Sequence, residues 1–471
     1  MRANMDRIFR LLGFVMALGM MAVIFWAQAP WFHDFAEWLF QSKILALKLT
    51  QGELVEHYRL AFYPVPNSLA IFILAGLCLF LDPLVAGKVY LILQILLWVW
   101  VLDRLVHRFV PAVSRGSIFL VTIAILAFSS FFWYGFISYQ LALWLLVVYL
   151  LRYDRGMRPA ENALFGILLF LSHAMIALVW GIIILADALR HARASPREGR
   201  TRSIELIRHS VPLALAVLLA VWYIVGRFSS PMADIQANAQ MSGLLESIIY
   251  KIGYPLMLGG FRNILQNDGQ AVFESWPVIY LIGAASNLAL VLMLATWGLL
   301  VLWETSFGNA GNGATGKNGR IVAWSLVVLY LLLPYGFFGQ INPAGRLLLP
   351  LLIILIALAP VSSFRFSRWA AIPALVGLLI SVSGYGVLVH DLRGTDSANL
   401  NVTFLAPGQR AKSDSVLGFN AALYANTRFA YFNYRVLINH SRFDQIRSNR
   451  YVGLGFRTGP IIDYEPRSSQ K

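Results

Sequence analysis

Charge is what this chain has least of. Only 13% of its 471 residues are Asp, Glu, Lys or Arg, about half the share of a soluble globular chain. Acid is scarcer still, with 23 Asp and Glu against 38 Lys and Arg. There is one cysteine, Cys78, inside an apolar run. That excludes a disulfide framework and a thiol zinc site.

Hydrophobic residues fill the gap. They make up 58% of the chain, and the mean hydropathy is +0.66. Apolar runs long enough to span a bilayer recur from end to end. A helix satisfies its own backbone in lipid, and uninterrupted runs do not read as barrel strands. The sequence therefore predicts an all-α polytopic membrane protein.

A net charge of +15 first suggests nucleic acid. The basic residues, however, cluster beside apolar segments: Arg2/Arg7/Arg10, 104–115, 152–158, 190–208 and Arg365/Arg368. That is the positive-inside pattern, so these clusters are expected in the cytoplasm and no nucleic-acid partner is expected. Residues 1–30 combine a basic start with a long apolar run and no small-residue cleavage site, which predicts a retained first helix.

Twelve apolar segments stand out: 11–29, 68–82, 88–103, 117–133, 138–151, 162–172, 174–189, 211–227, 277–302, 321–338, 346–360 and 369–389. Residues 162–189 lie between two basic loops, so the chain crosses there an even number of times. A hairpin of two short helices with Ser172 and His173 at its tip meets that condition. The same reasoning makes 117–151 a hairpin, with 133–140 at its outer turn. The stretch 67–103 holds two segments yet needs an odd number of crossings, so one segment should be re-entrant or partly inserted. About eleven transmembrane helices follow, with the N-terminus cytoplasmic and the C-terminus extracytoplasmic. Residues 1–389 form the membrane domain, with outer loop 31–67 and a second outer segment 228–276. Residues 390–471, with eleven Lys or Arg against six Asp or Glu and short alternating runs, predict a small extracytoplasmic α/β or strand-containing appendage.

The polar residues gather on the outer side. In HDFAEWLF (33–40), Asp34 and Glu37 open a predicted amphipathic helix over 33–49, with Gln41 and Lys48 completing a water-facing stripe. The pair has a plain structural explanation as N-cap and capping box, which suits Glu37 best and leaves Asp34 evenly balanced. Glu53, Glu56 and His57 share a helix face that could hold a divalent metal, although a solvated face explains such clusters more often. YPVPN (63–67) predicts a rigid bend. His173 is an ionisable residue inside an apolar stretch, a costly placement that points to function. Arg346, in GFFGQINPAGRLLLP with Gln340 and Asn342, could hold a phosphate bidentately or snorkel to head groups. Lys251 and Arg262 are weaker phosphate candidates. No cofactor is expected, and a divalent metal is left open.

The layout resembles bacterial GT-C-fold integral membrane glycosyltransferases that use polyprenyl-phosphate-linked sugars. The resemblance rests on an acidic motif in the first outer loop, short paired helices and an extracytoplasmic C-terminal part. Local patterns are also similar: HDFAEWLFQSKILAL, YPVPN, GFISYQLALWLLVVYLLRY, LLFLSHAMIALVW and NPAGRLLLPLLIILIAL, which occur in order over most of residues 30–360. It implies a bacterial inner-membrane enzyme that moves a sugar from a polyprenyl-phosphate donor to an extracytoplasmic glycan or lipid acceptor. By position it implies Asp34 as general base, Glu37 in support, and His173 and Arg346 at substrate or phosphate. The chain departs from the clearest members in lacking an adjacent acidic pair, since His33 precedes Asp34. A polysaccharide polymerase or O-antigen ligase-like enzyme ranks lower, because only 339–345 occupies the place of its large late loop. A lipid or solute transporter also ranks lower, because no internal repeat is evident.

Overall fold

The computed structural model describes residues 2–27, 32, 35–51, 58–60, 63–153, 155–194, 200–228, 244–259, 277–307, 314–334, 336–337, 340–341, 343–394 and 462–464. Each of the twelve apolar segments carries a helix. Six helices are long and apolar enough to cross a membrane, and six shorter apolar ones accompany them. The chain is an all-α membrane protein.

The helices, in order, are α1 Arg2–Trp26, α2 Phe35–Gln51, α3 Ser68–Cys78, α4 Pro83–Phe109, α5 Arg115–Thr122, α6 Ser130–Trp133, α7 Ile137–Tyr153, α8 Pro159–Ser172 and α9 Ala174–Ala194. They continue as α10 Arg200–Phe228, α11 Leu244–Gly253, α12 Pro277–Phe307, α13 Ala314–Leu332, α14 Leu348–Leu358 and α15 Ser367–Gly394. A π-helical turn at Ile123–Ala127 joins α5 to α6. This joined segment is the centre of the bundle, buried throughout and packed against α1, α4 and α15. By contrast Leu18, Leu299 and Trp303 are exposed, as expected of lipid-facing positions.

Two short strand pairs complete the described structure. Tyr58–Leu60 (β1) pairs antiparallel with Ile462–Tyr464 (β4), which brings part of the C-terminal region to the first loop. Gly336–Phe337 (β2) pairs with Gln340–Ile341 (β3) just before Arg346.

Side-chain contacts define two ends of the bundle. At one end, the Asp6 carboxylate accepts hydrogen bonds from the Gly116 and Ser117 N–H groups at 2.8 and 3.1 Å, capping α5 from another helix. A Cβ on Gly116 would lie 1.7 Å from the Asp6 carbonyl oxygen, so only glycine fits there. Arg10 pairs with Asp103 at 2.7 Å. Arg115 donates to the Val110 and His107 carbonyls at the end of α4. Arg368 donates to Val113 O, and Arg152 pairs with Glu161 at 3.2 Å. This is the basic end.

The opposite end holds the C-terminus of α1, the N-termini of α4 and α7, and the C-terminal part of α15. Phe32 stacks on Tyr385 (centroids 5.1 Å) and packs on Phe132 and Trp133. Lys88 donates to Phe25 O at 3.3 Å. Both ends of α3 adjoin this same end of the bundle. Ser138 donates to the carbonyl of Asn67, just before α3, and the turn after it leads into Asp82, which caps α4 by accepting from Leu84 N–H at 2.9 Å. Eleven residues rise only about 16 Å, half of a hydrocarbon core about 30 Å thick.

One position of the water-facing stripe expected on the first-loop helix, Gln41, needs correcting. Helix α2 packs along α3, so Gln41 and Ser42 are buried with Phe35, Leu39, Leu45 and Ala46, while Leu49 is exposed. Gln41 therefore does not face water. The expected stripe assumed a flat membrane surface beneath the helix, whereas its actual support is another helix.

Candidate functional site

The predicted hairpin breaks where expected. Helix α8 ends at Ser172, His173 alone is extended (φ −167°, ψ 119°), and α9 begins at Ala174. Gly166 and Trp180, each seven residues from His173, touch across the hairpin: a Cβ on Gly166 would come 2.5 Å from the Trp180 ring. Close packing of the two arms thus fixes the tip.

Against this tip lies the turn Gly345–Leu347 that opens α14. An Arg346 guanidinium nitrogen stands 3.0 Å from His173 Nε2. The guanidinium lies over the Phe136 ring, 5.4 Å from its centroid. Tyr139 donates its hydroxyl to the Arg346 carbonyl at 2.7 Å, and its ring meets the His173 ring edge-on at 5.1 Å. His173 and Tyr139 are 3% and 1% exposed, so the pair sits in a desolvated setting. Phe131 packs on Tyr139 (4.3 Å) and Tyr254 (6.2 Å), tying the turn Tyr254–Met257 to the same cluster. Charge interactions in such a setting are screened far less than at a protein surface.

Helix α8 has 14 residues, and Gly345–Leu358 has a similar length, with Leu358 against Gly319 near the start of α13. Both segments rise about 21 Å from the basic end to the pair, whereas α9, the other arm of the hairpin, supplies a 20-residue span long enough to cross.

The sequence singled out His173 and Arg346 separately, and the structure joins them. Glu37 occupies the third position of α2, the place a capping box uses, because the helix starts at Phe35. Asp34, His57, Arg262 and Asn342 lie outside the described residues, as do His33, Glu53, Glu56 and nearly all of 390–471. Lys251 donates to the Leu331 carbonyl, and its own carbonyl accepts from Tyr330 at 2.5 Å. Its described bonds therefore join α11 to the end of α13. Among the described residues no cluster of three or more His, Cys, Asp or Glu could hold a metal.

Tyr139 and Phe136 were not singled out as site residues. The available signal was their place beside the predicted outer turn, which Gly135 makes with a φ of 74°. Compared with protein-family models, curated proteins and solved structures, the chain matches none.

Proposed function

We propose that this protein is a membrane glycosyltransferase of the GT-C kind, transferring a sugar from a polyprenyl-phosphate donor to an extracytoplasmic glycan or lipid acceptor. The observation that carries the reading is Arg346, its guanidinium held by His173 and Phe136 and its carbonyl by Tyr139, at the end of the bundle away from the basic clusters. A planar guanidinium matches a phosphate geometrically and is weakly hydrated, so it suits a desolvated phosphate site. The ordered local similarities over residues 30–360 add the reaction class.

In this mechanism Asp34, one residue before α2, takes the proton from an acceptor hydroxyl. The freed oxygen bonds to the anomeric carbon as the bond from that carbon to the phosphate oxygen breaks. The electron pair leaves with the phosphate, and Arg346 stabilises the added charge. The products are the glycosylated acceptor, polyprenyl phosphate and a protonated Asp34. Glu37 supports Asp34 in this role. Lys251, Arg262, Asn342 and His57 complete the proposed substrate contacts.

The proposed setting is the bacterial inner membrane. About eleven crossings, with α3 as the segment that does not cross, put the N-terminus inside and residues 390–471 outside as an appendage. The α3 ends that meet one end of the bundle and the β1–β4 pairing support this arrangement.

The test is whether purified protein, given a polyprenyl-phosphate-linked sugar and an acceptor extract, releases polyprenyl phosphate. Release that disappears with Asp34→Asn, while the variant stays in the membrane, is expected. Transport of the intact lipid-linked sugar without cleavage would overturn the reading in favour of a transporter.

A further inference from the structure

The contact between Arg346 and His173 fixes more than proximity. A guanidinium donates hydrogen bonds and cannot accept one. The nitrogen it meets at 3.0 Å, His173 Nε2, must therefore offer its lone pair. The proton of a neutral imidazole then resides on Nδ1. An imidazolium is excluded in this arrangement, since both its nitrogens donate and it would set a second cation against the first.

We infer that His173 is a positioning residue: a neutral, Nδ1-protonated imidazole whose Nε2 lone pair sets the rotation of the Arg346 guanidinium and aims it at an anionic phosphate. Tyr139 holds the Arg346 backbone through its carbonyl, at 2.7 Å. Phe136 supports the guanidinium face, at 5.4 Å. Neither contact constrains how the guanidinium turns within its own plane, whereas the bond to Nε2 does so. His173 can do this because it is itself immobile. It is 3% exposed, it sits in an extended break between two tightly packed helices, and its ring lies edge-on to Tyr139. Its Nδ1 has no hydrogen-bond partner among the described residues, so the bond to Arg346 is the polar contact that orients the ring. With its lone pair engaged, the imidazole is not a general base in this state. The phosphate ligand in this inference rests on the proposed function, whereas the tautomer and the hold on Arg346 do not.

Two measurements test it, and they separate the two ideas. The first needs no ligand: solid-state NMR of protein labelled with ¹⁵N-histidine in lipid nanodiscs at neutral pH, with His173 assigned by its loss in His173→Gln. A neutral Nδ1–H ring whose Nε2 resonance moves in Arg346→Gln is expected. A protonated Nε2, or an Nε2 resonance indifferent to Arg346, would overturn the inference. The second measures binding of farnesyl phosphate against farnesol as a control. Glutamine places its amide near the position of Nε2, whereas asparagine places it near Nδ1. His173→Gln should therefore keep phosphate affinity within about threefold. His173→Asn and His173→Ala should lose about tenfold, the scale of one charge-assisted hydrogen bond, with farnesol binding unchanged. A glutamine variant as weak as the alanine variant, or equal losses for farnesol, would also overturn it. Wild-type protein that does not prefer farnesyl phosphate would sink the polyprenyl-phosphate reading alone, with the NMR result still deciding the role of His173.

Discussion

The two ends of this bundle use arginine differently. At the basic end Arg10 meets a carboxylate at 2.7 Å, and Arg115 and Arg368 donate to backbone carbonyls where helices end. There Arg115 closes the C-terminus of α4 and complements its dipole, while Arg368 ties α15 to the turn before α5. At the other end the described hydrogen bond of Arg346 goes to a neutral imidazole, inside a cluster of aromatic rings. The same residue type thus works as a staple in one place and, on the proposed function, as a phosphate receptor in the other.

Four substitutions sharpen or break this comparison. The largest expected effect is at the receptor end. Arg346→Ala should reduce release of polyprenyl phosphate by about a hundredfold or more, with little change in melting temperature, because removing a phosphate contact costs roughly 3 kcal/mol. A normal rate would make Arg346 another staple. Next comes Gly116→Ala at the basic end, where the added Cβ would overlap the Asp6 carbonyl at 1.7 Å. A loss of more than about 3 kcal/mol is expected, seen as poor yield and early thermal unfolding in detergent. Activity per folded molecule should survive; a selective loss of turnover would blur the division. Third, Asp6→Ala removes the carboxylate that caps α5 through Gly116 and Ser117. It should cost about 1–2 kcal/mol in the same unfolding assay. The smallest effect is at Arg10→Gln, which breaks a half-exposed pair with Asp103. No more than about 1 kcal/mol is expected, and less at high salt. A large loss there would show the pair to be part of a wider network.

Much of this was legible because lipid imposes a simple rule. Apolar runs become helices wherever the backbone must satisfy itself, and all twelve segments did so. Counting basic loops also located the break at His173, since charge on both flanks demands an even number of crossings. Partner identity was harder to read. Nothing in the spacing of Tyr139 and Arg346, 207 residues apart, says that one hydroxyl bonds the other's carbonyl. Hydrophobic pattern also ranks surfaces by polarity, not by neighbour. It put Gln41 toward water, where packing of α2 along α3 buries it. The π-helical turn at Ile123–Ala127 was likewise invisible, because its residues are as apolar as those of the α-helix around it.

The shortness of the helices that carry the pair has a consequence for the lipid itself. Segments that rise about 21 Å leave a step in the hydrophobic profile of the protein, and a bilayer relieves such mismatch by thinning locally. Beside α8 lies α9, which holds a span of full crossing length, so the step falls between the two arms of one hairpin. If Arg346 binds phosphate as proposed, its phosphate affinity should follow the thickness of the surrounding bilayer.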